Sequence, residues 1–108
     1  MNAVMVKLAP VELMSLFYTS RRGAENVALA NYKSYEIRPC FLVDAEGEDA
    51  AEEVFDLTNN PSRQDERVEK YGRGRSISVG DIVEVDDINY LCTPSGWLKL
   101  QEEPSCLQ

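Results

Sequence analysis

Residues 73–100, RGRSISVGDIVEVDDINYLCTPSGWLKL, decide the fold of this chain. Gly80-Asp81 opens a run in which Ile82, Val83 and Val85 flank Glu84, and Ile88, Tyr90 and Cys92 return on alternate positions. A period of two is that of a strand with one buried face, so the two runs predict a hairpin turning at Asp86-Asp87. Asp-Asp is a weaker pair than Asn-Gly for a type I′ turn, which needs positive φ at both central residues, and a longer loop including Asn89 is an alternative. Thr93-Pro94-Ser95-Gly96 is a stronger turn signal: proline presets φ and glycine adopts a left-handed backbone cheaply. Trp97, Leu98 and Leu100 then supply a third strand, giving an antiparallel three-stranded meander.

Upstream, Val4, Met5, Val6 and Leu8 predict a first strand within Met1 to Leu8, in a terminal segment of the kind that is often loose. Pro10 suits a first helical turn, and Val11, Met14 and Tyr18 keep helical spacing, although Leu16-Phe17-Tyr18 also suits a buried strand. Ala24 to Tyr32 reads as a helix after the interruption Ser20 to Gly23. Tyr35, Ile37, Cys40, Leu42 and Val43 predict a strand in which Pro39, lacking an N–H, implies an edge position or a bulge. The clearest helix is Asp49 to Thr58. Ala50, Ala51, Val54, Phe55 and Leu57 lie on one side, Glu52, Glu53 and Asp56 on the other, and Asn59-Asn60-Pro61 stops it. Ser62 to Glu69 adds a polar helical turn.

The expected fold is therefore α+β: a mainly antiparallel sheet of about five strands ending in the meander, with helices packed on one face. It forms one domain over residues 1–100, followed by a flexible tail at 101–108. A length of 108 residues suffices for one core, and 44% hydrophobic with 28% charged residues is ordinary globular composition. No apolar run is long enough for a membrane helix and no signal-peptide pattern opens the chain, which points to a cytoplasmic location.

Three cysteines, Cys40, Cys92 and Cys106, without a CxxC spacing, and no histidine at all, leave no metal site or cofactor to expect. Cys40 and Cys92, placed in strands, are expected to be buried. Without histidine a Ser76 or Ser78 nucleophile lacks its usual base, so Ser76, Ser78 and Asp81 read as turn chemistry and the chain is not expected to be an enzyme.

The net charge of −8 is unevenly placed. Between Val43 and Ser62 stand seven acids, Asp44, Glu46, Glu48, Asp49, Glu52, Glu53 and Asp56, and no base. Between Arg63 and Arg75 five bases, Arg63, Arg67, Lys70, Arg73 and Arg75, face three acids. Closely spaced carboxylates can imitate the phosphates of nucleic acid and dock on a basic partner, although most charge runs are only a solvated helix exterior. The opposite reading has the connector bases contacting phosphates while Tyr71 and Trp97 stack a base. The overall negative charge and the interleaved acids disfavour it. Trp97 reads as a core lid before an interface anchor.

Three features together resemble the YodL-like family, a domain of uncharacterised function met in bacteria, phages and mobile elements. They are the acidic helix Glu52 to Asn59, the segment Gly74-Arg75-Ser76-Ile77-Ser78-Val79-Gly80-Asp81-Ile82-Val83, similar to that family's Gly-x-Ser-Leu-Ser-Val-x-Asp-Val-Val, and Tyr90-Leu91 with Gly96-Trp97. The likeness covers the last two thirds of the chain and departs before it, where Pro39 interrupts a strand. It implies a phage or mobile-element accessory protein that inhibits or adapts a host protein, such as a defence complex (an anti-CRISPR role is one form) or a nucleic-acid-handling complex. The expected partner is a host protein with a basic surface. The alternative is a nucleic-acid-binding accessory domain using the connector. The sequence leaves the oligomeric state open.

Overall fold

The computed structural model describes residues 1–100, so the expected tail and Cys106 lie outside the described residues. Six strands form one antiparallel sheet: β1 (Asn2–Leu8), β2 (Glu36–Ile37), β3 (Phe41–Val43), β4 (Ile82–Val85), β5 (Ile88–Thr93) and β6 (Gly96–Lys99). The order is β2-β1-β4-β5-β6, with β3 also paired to β1. Helices α1 (Arg21–Ala30), α2 (Gly47–Asn59) and α3 (Gln64–Lys70) complete the fold, which is α+β with the C-terminal meander as expected.

The Asp86-Asp87 turn takes two residues only. Val85 pairs with Ile88, and φ is +50° and +67° at the two aspartates, the left-handed pair a type I′ turn requires. The longer loop is not used, because the twist matched by a I′ turn outweighs the modest cost of left-handed aspartate. Asn89 instead lies in β5, buried.

β1 is not loose. It is the hub of the sheet, pairing with β4 along Val4 to Lys7 and with both β2 and β3 on its other edge. Lys7 faces Ile37, whereas Val4 faces Phe41, so Met5 and Val6 stand opposite Arg38, Pro39 and Cys40. One extra residue on the outer strand is a β-bulge, and Pro39 occupies it at the edge. Cys40 is exposed there, against expectation, because the bulge lifts it out of the ladder.

The expected one-sided layering is also corrected, since helices cover both faces. On one face Val6, Val83, Tyr90, Cys92 and Trp97 pack with Ala50, Ala51 and Val54 of α2. On the other Ile82 and Leu91, directly paired across strands, pack with Phe17, Ala24, Ala28 and Leu100. Adjacent strand residues point to opposite faces, so the neighbours Ile82 and Val83 serve different cores.

Val11–Phe17 forms a 3₁₀ segment in place of an α-helix. It buries Phe17 while leaving Val11, Leu16 and Tyr18 exposed, so no helical apolar face is assembled. α1 begins three residues earlier than its alanines suggest because the Ser20 hydroxyl caps it, accepting from the Gly23 N–H at 3.0 Å. Asn60 ends α2 with extended backbone, as a residue before proline should.

Candidate functional site

The acidic run divides in two. At the start of α2, Asp44, Glu46, Glu48 and Asp49 are exposed, and no ion pair among the described residues engages them. Glu48 and Asp49 lie in the first turn, where they oppose the positive end of the helix dipole; Asp44 and Glu46 precede the helix. A shallow recess lined by Asn2, Asp44, Glu46 and Asp49 opens beside them. At the far end of α2 the chain turns at Asn60-Pro61 and brings Arg63 back onto Glu53 at 2.6 Å, Asp56 at 2.8 Å and Glu66 at 2.9 Å. Hydrogen bonds to Glu53, Glu66 and Asp56 hold the Arg63 guanidinium above its ordinary value, and Arg63 in turn holds the Glu66 carboxyl below its own. Glu53 and Asp56 thus share the Arg63 charge with Glu66 and are engaged within the fold. Glu52, between the two groups, accepts from Trp97 Nε1 at 2.8 Å.

The connector is committed inward. Arg75 donates to Asp81 through both terminal nitrogens and to the Ala9 carbonyl at 2.9 Å. Arg67 donates to the Gly74 carbonyl and stacks on the Tyr71 ring, 5.5 Å from its centroid. Arg38 packs on the same ring at 5.3 Å. Lys70 lies 3.5 Å from Glu66. Tyr71 and Trp97 are buried in the core under α2, where neither ring has a face to offer a base. Of the candidate nucleic-acid contacts, only Arg73 is exposed with no bonded partner among the described residues.

Asp81 is fully buried. Its carboxylate accepts the Ser78 N–H at 2.7 Å, as a turn residue should, but also the Ala9 N–H at 2.8 Å from a distant strand end. The Ser76 hydroxyl donates to the Thr58 carbonyl at 2.6 Å. These side chains are consumed in joining the meander to α2 and to the segment after β1.

A polar group that sequence reasoning missed centres on Lys7, which is only 3% exposed. Its ammonium donates to Glu84 at 2.6 Å, to Asn89 at 2.9 Å and to the Tyr32 hydroxyl. Burial pulls the lysine down, yet the bonds to Glu84 and Tyr32 outweigh it and leave its pKa raised. The signal was a lysine inside the apolar run Val4 to Leu8; its partners lie too far along the chain to read.

The topology also groups acids that are distant in sequence. Asn2 pairs with Val43, and Val4 with Val85, so the start of β1, the end of β3 and the β4-β5 turn share one end of the sheet. Asp44 and Glu46 therefore occupy the same end as the exposed Asp86 and Asp87. Among the described residues no helix is long and apolar enough to cross a membrane. Compared with known proteins, the chain matches no family model, no curated protein and no solved structure.

Proposed function

We propose that this chain is a small accessory protein of a phage or mobile element that binds a basic surface of a host protein through its acidic end. The origin rests on the resemblance of Gly74 to Val83 and Gly96-Trp97 to the YodL-like domain. The binding mode rests on one observation: among the described residues Asp44, Glu46, Glu48 and Asp49 stand exposed without ion pairs, while most connector bases are spent inside the fold. Four carboxylates held on a rigid strand end and helix start form a local field that steers a cationic partner and is screened by salt.

The test is affinity capture from host lysate at low and high salt, with the wild type beside a Glu46→Lys/Glu48→Lys/Asp49→Lys variant, which leaves the Glu52 bond to Trp97 intact. Capture of a specific protein should fall at least about tenfold with salt and with the reversal. A partner retained equally under all conditions would exclude the acidic end as its site. A gel-shift with single-stranded and duplex nucleic acid at low salt should show no complex.

A further inference from the structure

Among the described residues, the face of the sheet that carries α1 is covered along only part of its length. Ile82, Leu91, Leu98 and Leu100 are roofed by α1 and the 3₁₀ segment. Next along the same face comes the Lys7 cluster, which seals the edge of that core with polar bonds. Beyond it no described residue covers the face. Directly paired residues share a face, so Met5 lies beside Glu84, Leu42 beside Ala3, and Ile37 beside Lys7 on this same side. Leu42 is 52% and Ile37 60% exposed, and Ala3 is exposed as well. Ala3, Met5, Cys40, Glu84, Asp86 and Asp87 line a groove there of about 260 Å³.

We infer that this bare face seats an amphipathic segment of the partner protein whose apolar side chains are flanked by lysine or arginine. The inference rests on the acidic-end reading above and gives it an apolar centre. The occupant's charge follows from the rim at one end of the strip, where Asp86 and Asp87 stand past β4 and Asp44, two residues after Leu42, stands past β3. Lys7, which shares this face, is buried and already bonded to Glu84. A second copy of this chain would set these carboxylates against its own, so self-pairing is opposed by repulsion, and the Pro39 bulge interrupts the edge such a pairing would use. A complementary basic segment meets neither obstacle.

The test titrates the full chain with a synthetic leucine-lysine peptide about five helical turns long, its leucines on one face, and maps backbone amide shifts. A control peptide has the same composition with the leucines scattered. Shifts should fall on Ala3, Met5, Leu42 and Glu84 to Asp87, and the control should bind about tenfold more weakly. Leu42→Ser should weaken binding by a similar factor. So should Asp86→Asn/Asp87→Gly, which removes two charges while supplying the pair a type I′ turn favours and so keeps the hairpin. Shifts confined to Asp44, Glu46, Glu48 and Asp49, with Leu42→Ser silent, would overturn the apolar seat and leave the acidic reading standing. Shifts on the bare face that persist after Glu48 and Asp49 are reversed would support the seat and discard the helix start as a contributor. Concentration-dependent dimerisation abolished by Leu42→Ser would assign the face to a second copy and overturn the inference.

Discussion

Arg75 closes on Asp81 with both terminal nitrogens, Nη1 to Oδ2 at 2.8 Å and Nη2 to Oδ1 at 2.9 Å, across the entry to β4. The carboxylate has no exposure, so removing it strands the Ala9 and Ser78 N–H groups and leaves Arg75 unpaired. Asp81→Ala should cost about 3–5 kcal/mol in urea denaturation. Arg75→Met, which leaves a buried charge behind, should cost a comparable amount, and the double variant should cost less than the sum.

Gly80 has φ of +99°, and a Cβ there would lie 2.4 Å from Phe17 Cδ2. Gly80→Ala should therefore destabilise by more than about 3 kcal/mol, from backbone strain and displacement of a core ring together. Phe17→Ala, which leaves a cavity in the same place, should cost about 3–5 kcal/mol, and Phe17→Leu markedly less by thermal denaturation.

Lys7 predicts an alkaline transition. Its pKa is raised in the fold, so its contribution is fully present below the unfolded value of about 10.4 and is lost as pH rises through the folded value. The stability difference between wild type and Lys7→Met should be flat from neutral pH to about pH 9 and shrink above the unfolded value. At neutral pH that variant should be about 2–3 kcal/mol less stable, since Glu84 keeps partial solvent access.

The two described cysteines should differ sharply in reactivity. Cys40 is exposed at the bulge. Cys92 is buried, and that burial, with the Asp81 and Glu52 charges, pushes its thiol up to about 12. Iodoacetamide with peptide mapping should alkylate Cys40 in the native protein and spare Cys92 until urea unfolds it, because the thiolate is the reactive form.

The meander was legible because its turns carry their own chemistry, and Pro39 implied an edge position or a bulge, of which the structure has both. The two-sided layering was legible in part: Ile82-Val83 and Tyr90-Leu91-Cys92 are unbroken apolar runs, the mark of strands buried on both faces, although the alternation of Ile88, Tyr90 and Cys92 masks it. In the candidate site, the exposure of Asp44 to Asp49 follows from local sequence. The loss of Glu53 and Asp56 to Arg63 does not, since it depends on the chain reversing at Pro61. The placing of Asp86 and Asp87 beside Asp44 depends on sheet order, which composition and periodicity leave undetermined.

Trp97 is the single tryptophan of the chain. Its indole packs edge-on against Phe55 at 6.4 Å between centroids, and its N–H reaches the carboxylate of Glu52 on the outer side of α2. The protein therefore carries a native optical reporter wired to its charged exterior: whatever draws Glu52 away from the indole alters the dipole beside the ring. Emission wavelength, read without any label, can then time the arrival of a partner at that exterior.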